Sequence, residues 1–123
     1  MKICIIDDDK IYQFLLKKMV NMVDKQIITS SYFNGLDAIS SFEKLDSCYD
    51  IILLDLNMPT MDGWEFIEEY QKLKRSSKPL PKIYIATSSI SGEDRMRALS
   101  YKTIIKGYLI KPITLQMIKK IVE

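Results

Sequence analysis

Three consecutive carboxylates (Asp7, Asp8 and Asp9), one at Asp55, hydroxyls at Thr87 and Ser88, and an ammonium at Lys111 each end or directly follow a short apolar run. Carboxylates crowded together repel one another and raise each other's pKa unless a cation is present. A hard divalent ion resolves that conflict. Mg²⁺ takes oxygen ligands in octahedral geometry and keeps several waters, so two carboxylates and one backbone carbonyl suffice. Lysine and hydroxyl groups opposite such an ion are what a transferring phosphoryl group needs, because its spread charge must be stabilised while an oxygen attacks in line. Asp55 is the candidate attacking oxygen, and its product would be an acyl phosphate.

These groups need a scaffold that brings distant parts of the chain together. Five apolar runs recur, KICII (2–6), QIITSSYF (26–33), DIILL (50–54), KIYIAT (82–87) and GYLI (107–110). Short, isoleucine-rich and bounded by turn residues, they read as buried parallel strands. Helical spacing lies between them. Ile11, Leu15, Lys18 or Met19, and Met22 mark one face of the first helix; Leu36, Ile39, Phe42 and Leu45 mark the second. Trp64, Ile67 and Tyr70 or Gln71 mark the third, Met96, Leu99 and Ser100 the fourth, and Leu115, Ile118 and Ile121 or Val122 the fifth. Asp9 and Thr114 carry acceptors suited to cap the first and fifth helices. The alternation of strand and helix predicts one three-layer α/β domain over 1–123, a doubly wound (βα)5 unit with a parallel five-stranded sheet. In such sheets ligands bind beyond the carboxyl ends of the strands, where all seven polar residues are placed.

Composition narrows the chemistry. There is no histidine among the 123 residues, which removes imidazole zinc sites, a Ser-His-Asp triad and a phosphohistidine of the chain's own. Cys4 and Cys48 form neither a CxxC pair nor a disulfide framework. No apolar run approaches a membrane span and no signal peptide is legible, so a cytoplasmic protein without membrane attachment is expected. The net charge of +2 conceals an asymmetry: residues 1–70 hold 6 basic and 13 acidic side chains, residues 71–123 hold 12 and 3. That split indicates electrostatic polarity and solvated helix faces, not direct nucleic-acid binding.

The motifs IIDDD, LLDLNMPTMDG, ATSS and GYLIKP, in this order, make the chain resemble a response-regulator receiver domain of two-component signalling over essentially its whole length. The resemblance implies a flavodoxin-like fold with strand order 2-1-3-4-5. It implies Asp55 as phosphoacceptor, Asp8 as direct Mg²⁺ ligand, Asp7 as its neighbour acting through water, and the Asn57 backbone carbonyl completing the metal site, with Mn²⁺ as the alternative ion. It further implies Thr87 as the hydroxyl that bonds the phosphoryl group, Ser88 at the phosphoryl pocket, Lys111 as partner of acceptor or phosphate, and a cis bond before Pro112. Tyr108 matches the aromatic that swings inward with the threonine. Pro59 and Gly63 are expected to shape the loop into the third helix, the glycine through an unusual backbone conformation.

A receiver of this kind takes its phosphoryl group from the phosphohistidine of a histidine kinase or phosphotransfer protein. It catalyses its own phosphorylation and dephosphorylation without turning over an external substrate, and it presents a changed α4–β5–α5 surface to a downstream protein, as monomer or phosphorylation-linked dimer. No output domain is expected within this chain. Asn57 and Ser89 occupy the positions that tune acyl-phosphate lifetime. The stretch GEDRMRALSYKTIIKG is slightly long for the family, so the signalling face is expected to differ locally.

Three other readings fit less well. A haloacid-dehalogenase-type phosphatase wants an acid two residues after its nucleophile, where this chain has Asn57. A flavodoxin-like cofactor binder needs a phosphate-cradling loop after strand one, where IIDDDK offers acids. A phosphorylation-independent pseudo-receiver docking module would not need the intact set Asp7, Asp8, Asp55, Thr87 and Lys111.

Overall fold

The computed structural model describes residues 1–44, 49–73 and 80–123; Leu45 and Cys48, singled out above, lie outside them. The elements alternate as β1 (Lys2–Ile6), α1 (Lys10–Val23), β2 (Ile28–Tyr32), α2 (Gly35–Lys44), β3 (Ile51–Leu54), α3 (Gly63–Lys72), β4 (Lys82–Thr87), α4 (Gly92–Ser100), β5 (Ile105–Ile110) and α5 (Leu115–Val122). The five strands form one parallel sheet in the order β2-β1-β3-β4-β5. Alternate strand residues point to opposite faces, so each central strand feeds two cores. Ile3, Ile5, Ile51 and Leu53 pack against Leu16 and Val20 of α1 and Ile118 and Ile121 of α5. Cys4, Ile6, Ile52, Leu54, Ile83 and Ile85 meet Ala38, Trp64, Phe66, Ile67 and Ala98 of α2, α3 and α4. Cys4 is fully buried and that burial pushes its thiol pKa up, so it is an inert core residue.

Helix starts follow the expected caps. Asp9 Oδ1 accepts the Tyr12 amide at 3.0 Å, and Thr114 Oγ1 accepts that of Met117 at 3.2 Å. α3 begins with a full capping box: Asp62 Oδ1 takes the Glu65 amide at 2.9 Å while Glu65 Oε1 takes that of Asp62 at 3.3 Å.

Two helices bury a different face from the one expected. On α1 the expected stripe is turned largely outward: Ile11 is 75% exposed and Met22 71%, with Leu15 also exposed, whereas Met19 is half-buried against the core. The buried residues are Gln13, Leu16 and Val20. On α4 Met96 and Leu99 are exposed and Ala98 is buried. Both helices carry apolar residues on more than one face, and periodicity cannot say which stripe the sheet will cover. The long stretch before β5 is also explained. Ile83 pairs with Ile105 but Tyr84 with Gly107, so a bulge-like register shift absorbs one residue and the strand begins earlier than expected.

Candidate functional site

The carboxyl ends of β1, β3 and β5 converge on four charged side chains. Asp7, Asp8 and Asp55 each offer a carboxylate oxygen, and these atoms lie within 4.8 Å of one another. Asp7 and Asp55 are buried, 2% and 6% exposed, whereas Asp8 is exposed. Lys111 Nζ donates to Asp7 Oδ2 at 2.8 Å and to Asp55 Oδ2 at 3.3 Å. The remaining oxygens are held by backbone: Asp7 Oδ1 accepts the Asp9 N–H at 2.9 Å and Asp55 Oδ1 that of Leu56 at 2.8 Å. Burial raises the Asp7 pKa against the opposing pull of Lys111 and the Asp9 amide, and the Asp55 charge adds to the rise. For Lys111, burial acts to lower the pKa, but the Asp7 hydrogen bond and the charges of Asp55 and Asp7 outweigh it and raise the value. Buried acids in excess of their one lysine are a site short of positive charge, which suits a hard divalent cation.

The β1–α1 loop is locked from beneath. Gln13, 3% exposed, directs Nε2 at three carbonyl oxygens: Ile5 at 3.0 Å, Asp7 at 3.2 Å and Tyr32 at 3.0 Å. It ties this loop to β1 and β2. Sequence reading passed over it, because a glutamine next to an apolar stripe looks like a surface residue until the converging carbonyls are seen.

The β3–α3 loop is shaped differently from expectation. Gly63 has no positive φ; its role is close approach, since a Cβ there would lie 2.6 Å from the Asp55 carbonyl oxygen and 2.8 Å from Leu56 Cα. The unusual backbone is at Thr60, with φ 69°, where the Met61 N–H bonds the Pro59 carbonyl at 2.7 Å across a γ-turn. Asn57 is exposed, two residues past Asp55.

On the other side, Thr87 is fully buried and its Oγ1 accepts the Ser89 N–H at 3.3 Å. Tyr108 is half-buried beside it, its hydroxyl donating to the Ser89 carbonyl at 3.0 Å. Both candidate switch side chains therefore meet at the Ser89 backbone. The Ser89 hydroxyl is itself engaged, donating to Asp94 Oδ2 at 2.5 Å, and Asp94 Oδ1 accepts the Trp64 indole N–H at 3.1 Å. Ser88 is exposed at the strand end. The Lys111 amide bonds the Thr87 carbonyl at 2.8 Å, and the Lys111–Pro112 bond is cis.

Residues 3–123 match the family model for the response regulator receiver domain. The chain belongs to that family. The receiver is 25% identical to chemotaxis protein CheY of Listeria monocytogenes, over 100% of this chain and 96% of that protein. It is 31% identical to sensor histidine kinase RcsC of Escherichia coli over 98% of its own length, but spans only 12% of that kinase. Other hybrid and sensor kinases that it matches are likewise spanned over small fractions, 7% and 14% in two cases. Among solved structures it resembles a two-component response regulator from Cytophaga hutchinsonii, with a TM-score of 0.85 and 25% identity over 98% of this chain and 92% of that one. Among the described residues, no helix of the receiver is long and apolar enough to cross a membrane.

Proposed function

We propose that residues 1–123 act as a phosphoacceptor domain that takes a phosphoryl group onto Asp55 from the phosphohistidine of a histidine kinase or phosphotransfer protein. The observation that carries this reading is the meeting of Asp7, Asp8 and Asp55 within 4.8 Å beside Lys111. An Asp55 carboxylate oxygen attacks phosphorus, the P–N bond breaks, and its electron pair returns to the imidazole of the donor. A divalent ion held by Asp7, Asp8, Asp55 and the Asn57 carbonyl would supply positive charge to the crowded carboxylates and the phosphoryl oxygens. Lys111 offers its ammonium beside Asp7 and Asp55, and the Leu56 amide holds the other Asp55 oxygen. Thr87 then supplies a hydroxyl to a phosphoryl oxygen and Ser88 borders the pocket. Leaving its Ser89 N–H, Thr87 loosens the segment that Tyr108 also holds, which changes the α4–β5 face shown to a downstream protein. Water later attacks phosphorus, the P–O bond to Asp55 breaks, and inorganic phosphate leaves as the carboxylate is restored.

The test is incubation with acetyl phosphate, with and without Mg²⁺, followed by intact mass measurement. We expect a gain of one phosphoryl group that requires Mg²⁺ and is lost in Asp55→Ala. No adduct on the folded protein would leave the pseudo-receiver docking module as the better reading, and steady hydrolysis of external phosphomonoesters would favour a phosphatase.

A further inference from the structure

Tyr12 is not among the residues that the family motifs single out, yet it touches the site twice. Its ring lies under the Lys111 ammonium, with Nζ 4.3 Å from the centroid. Its hydroxyl oxygen accepts the Ile113 N–H at 2.6 Å, just after Pro112. The Tyr12 backbone is itself pinned, since its amide donates to Asp9 Oδ1 and the Asp9 amide donates to Asp7 Oδ1. With the Lys111–Asp7 pair the contacts close into a ring: Asp7, Asp9, Tyr12, Lys111 and back to Asp7. A lysine is a flexible stem with a compact charge, and its usefulness to a phosphoryl group depends on where that charge is held. An aromatic face attracts the cation and shields one side from water without spending an N–H. The hydroxyl contact fixes the backbone two residues after Lys111.

We propose that Tyr12 is a positioning residue for phosphoryl transfer, holding the Lys111 ammonium over Asp7 and Asp55 and tying α1 to the segment after Pro112. This rests on the phosphoacceptor reading. The two contacts are separable: Tyr12→Phe keeps the ring face and loses the acceptor for Ile113, whereas Tyr12→Leu loses both.

The experiment measures phosphorylation of the full chain by acetyl phosphate at saturating Mg²⁺ as donor concentration is varied, in wild type, Tyr12→Phe and Tyr12→Leu. The maximal rate is expected to fall roughly 10-fold in Tyr12→Leu and to be largely restored in Tyr12→Phe, with half-saturating donor unchanged. In parallel, NMR of the Lys111 Hε protons should show an upfield ring-current shift in wild type and Tyr12→Phe that is absent in Tyr12→Leu. Equal rates in all three proteins while wild type labels would overturn the role of Tyr12 alone, as would a Lys111 shift unchanged by Tyr12→Leu. Failure of wild type to label would overturn the phosphoacceptor reading and this proposal with it, while the ring-current shift would still report the geometry.

Discussion

The Lys111 ammonium sits closer to Asp7, at 2.8 Å, than to the proposed nucleophile Asp55, at 3.3 Å, across a separation of 104 residues in the chain. The Asp7 carboxylate that bonds this lysine is also one of the three that could hold a cation. A bound cation and the ammonium would compete for it.

That competition predicts the behaviour of Lys111→Met. Removing a cation next to a ligand oxygen should tighten Mg²⁺ binding, by roughly 3- to 10-fold. Phosphoryl transfer should slow at the same time, because the phosphoryl oxygens lose their ammonium. Calorimetric Mg²⁺ titration checks the first effect and acetyl phosphate labelling the second. Unchanged or weaker Mg²⁺ affinity would refute the competition.

Asp7 gives a pH prediction. Burial raises its folded pKa above the ordinary 3.8, so folding favours its protonated form. A raised acid contributes stability that is full below the unfolded value and is lost as pH rises through the folded one. Metal-free Asp7→Asn should therefore unfold at a higher temperature than wild type at neutral pH, and the gap should close as pH falls below 3.8. Saturating Mg²⁺ should stabilise wild type and not the variant. Thermal unfolding at several pH values, with chelator or Mg²⁺, reads all three.

Gly63 allows no side chain. A Cβ 2.6 Å from the Asp55 carbonyl oxygen forces the strand end or the start of α3 to move. Gly63→Ala should cost about 1–3 kcal/mol of stability, the usual penalty for overpacking, and should slow labelling of Asp55. A stability change below about 0.5 kcal/mol in denaturant titration would mean that the contact relaxes freely.

Thr60 holds a positive φ of 69°, which a β-branched residue adopts at a cost. Asparagine tolerates this region better, so Thr60→Asn should stabilise by about 1 kcal/mol, or roughly 4 °C in Tm. Thr60 is exposed, so no buried packing is lost. A lower Tm in the variant would show that the threonine side chain contributes more than its backbone strain costs.

How much of this was legible in the chain varies residue by residue. The strands at 2–6 and 82–87 were readable to their ends, because each is a continuous apolar run stopped by polar groups. The acids, hydroxyls and lysine at the strand ends were equally visible, since position at a strand end is a one-dimensional property. The buried face of α1 was not, because that helix offers apolar residues on both sides. Gln13 was not, because its burial depends on carbonyls from Ile5, Asp7 and Tyr32 arriving at one point.

The sequence by itself determined the alternation of strand and helix, the family, and the candidate residues for phosphoryl chemistry. Local pattern and side-chain type suffice for those. Only the tertiary structure decided that Lys111 prefers Asp7, that Tyr12 lies beneath the ammonium, that Thr87 and Tyr108 share Ser89, and that Gly63 is required by contact instead of by φ. Each is a relation between groups far apart along the chain, and distance in space is set by the packing of the whole sheet and its helices.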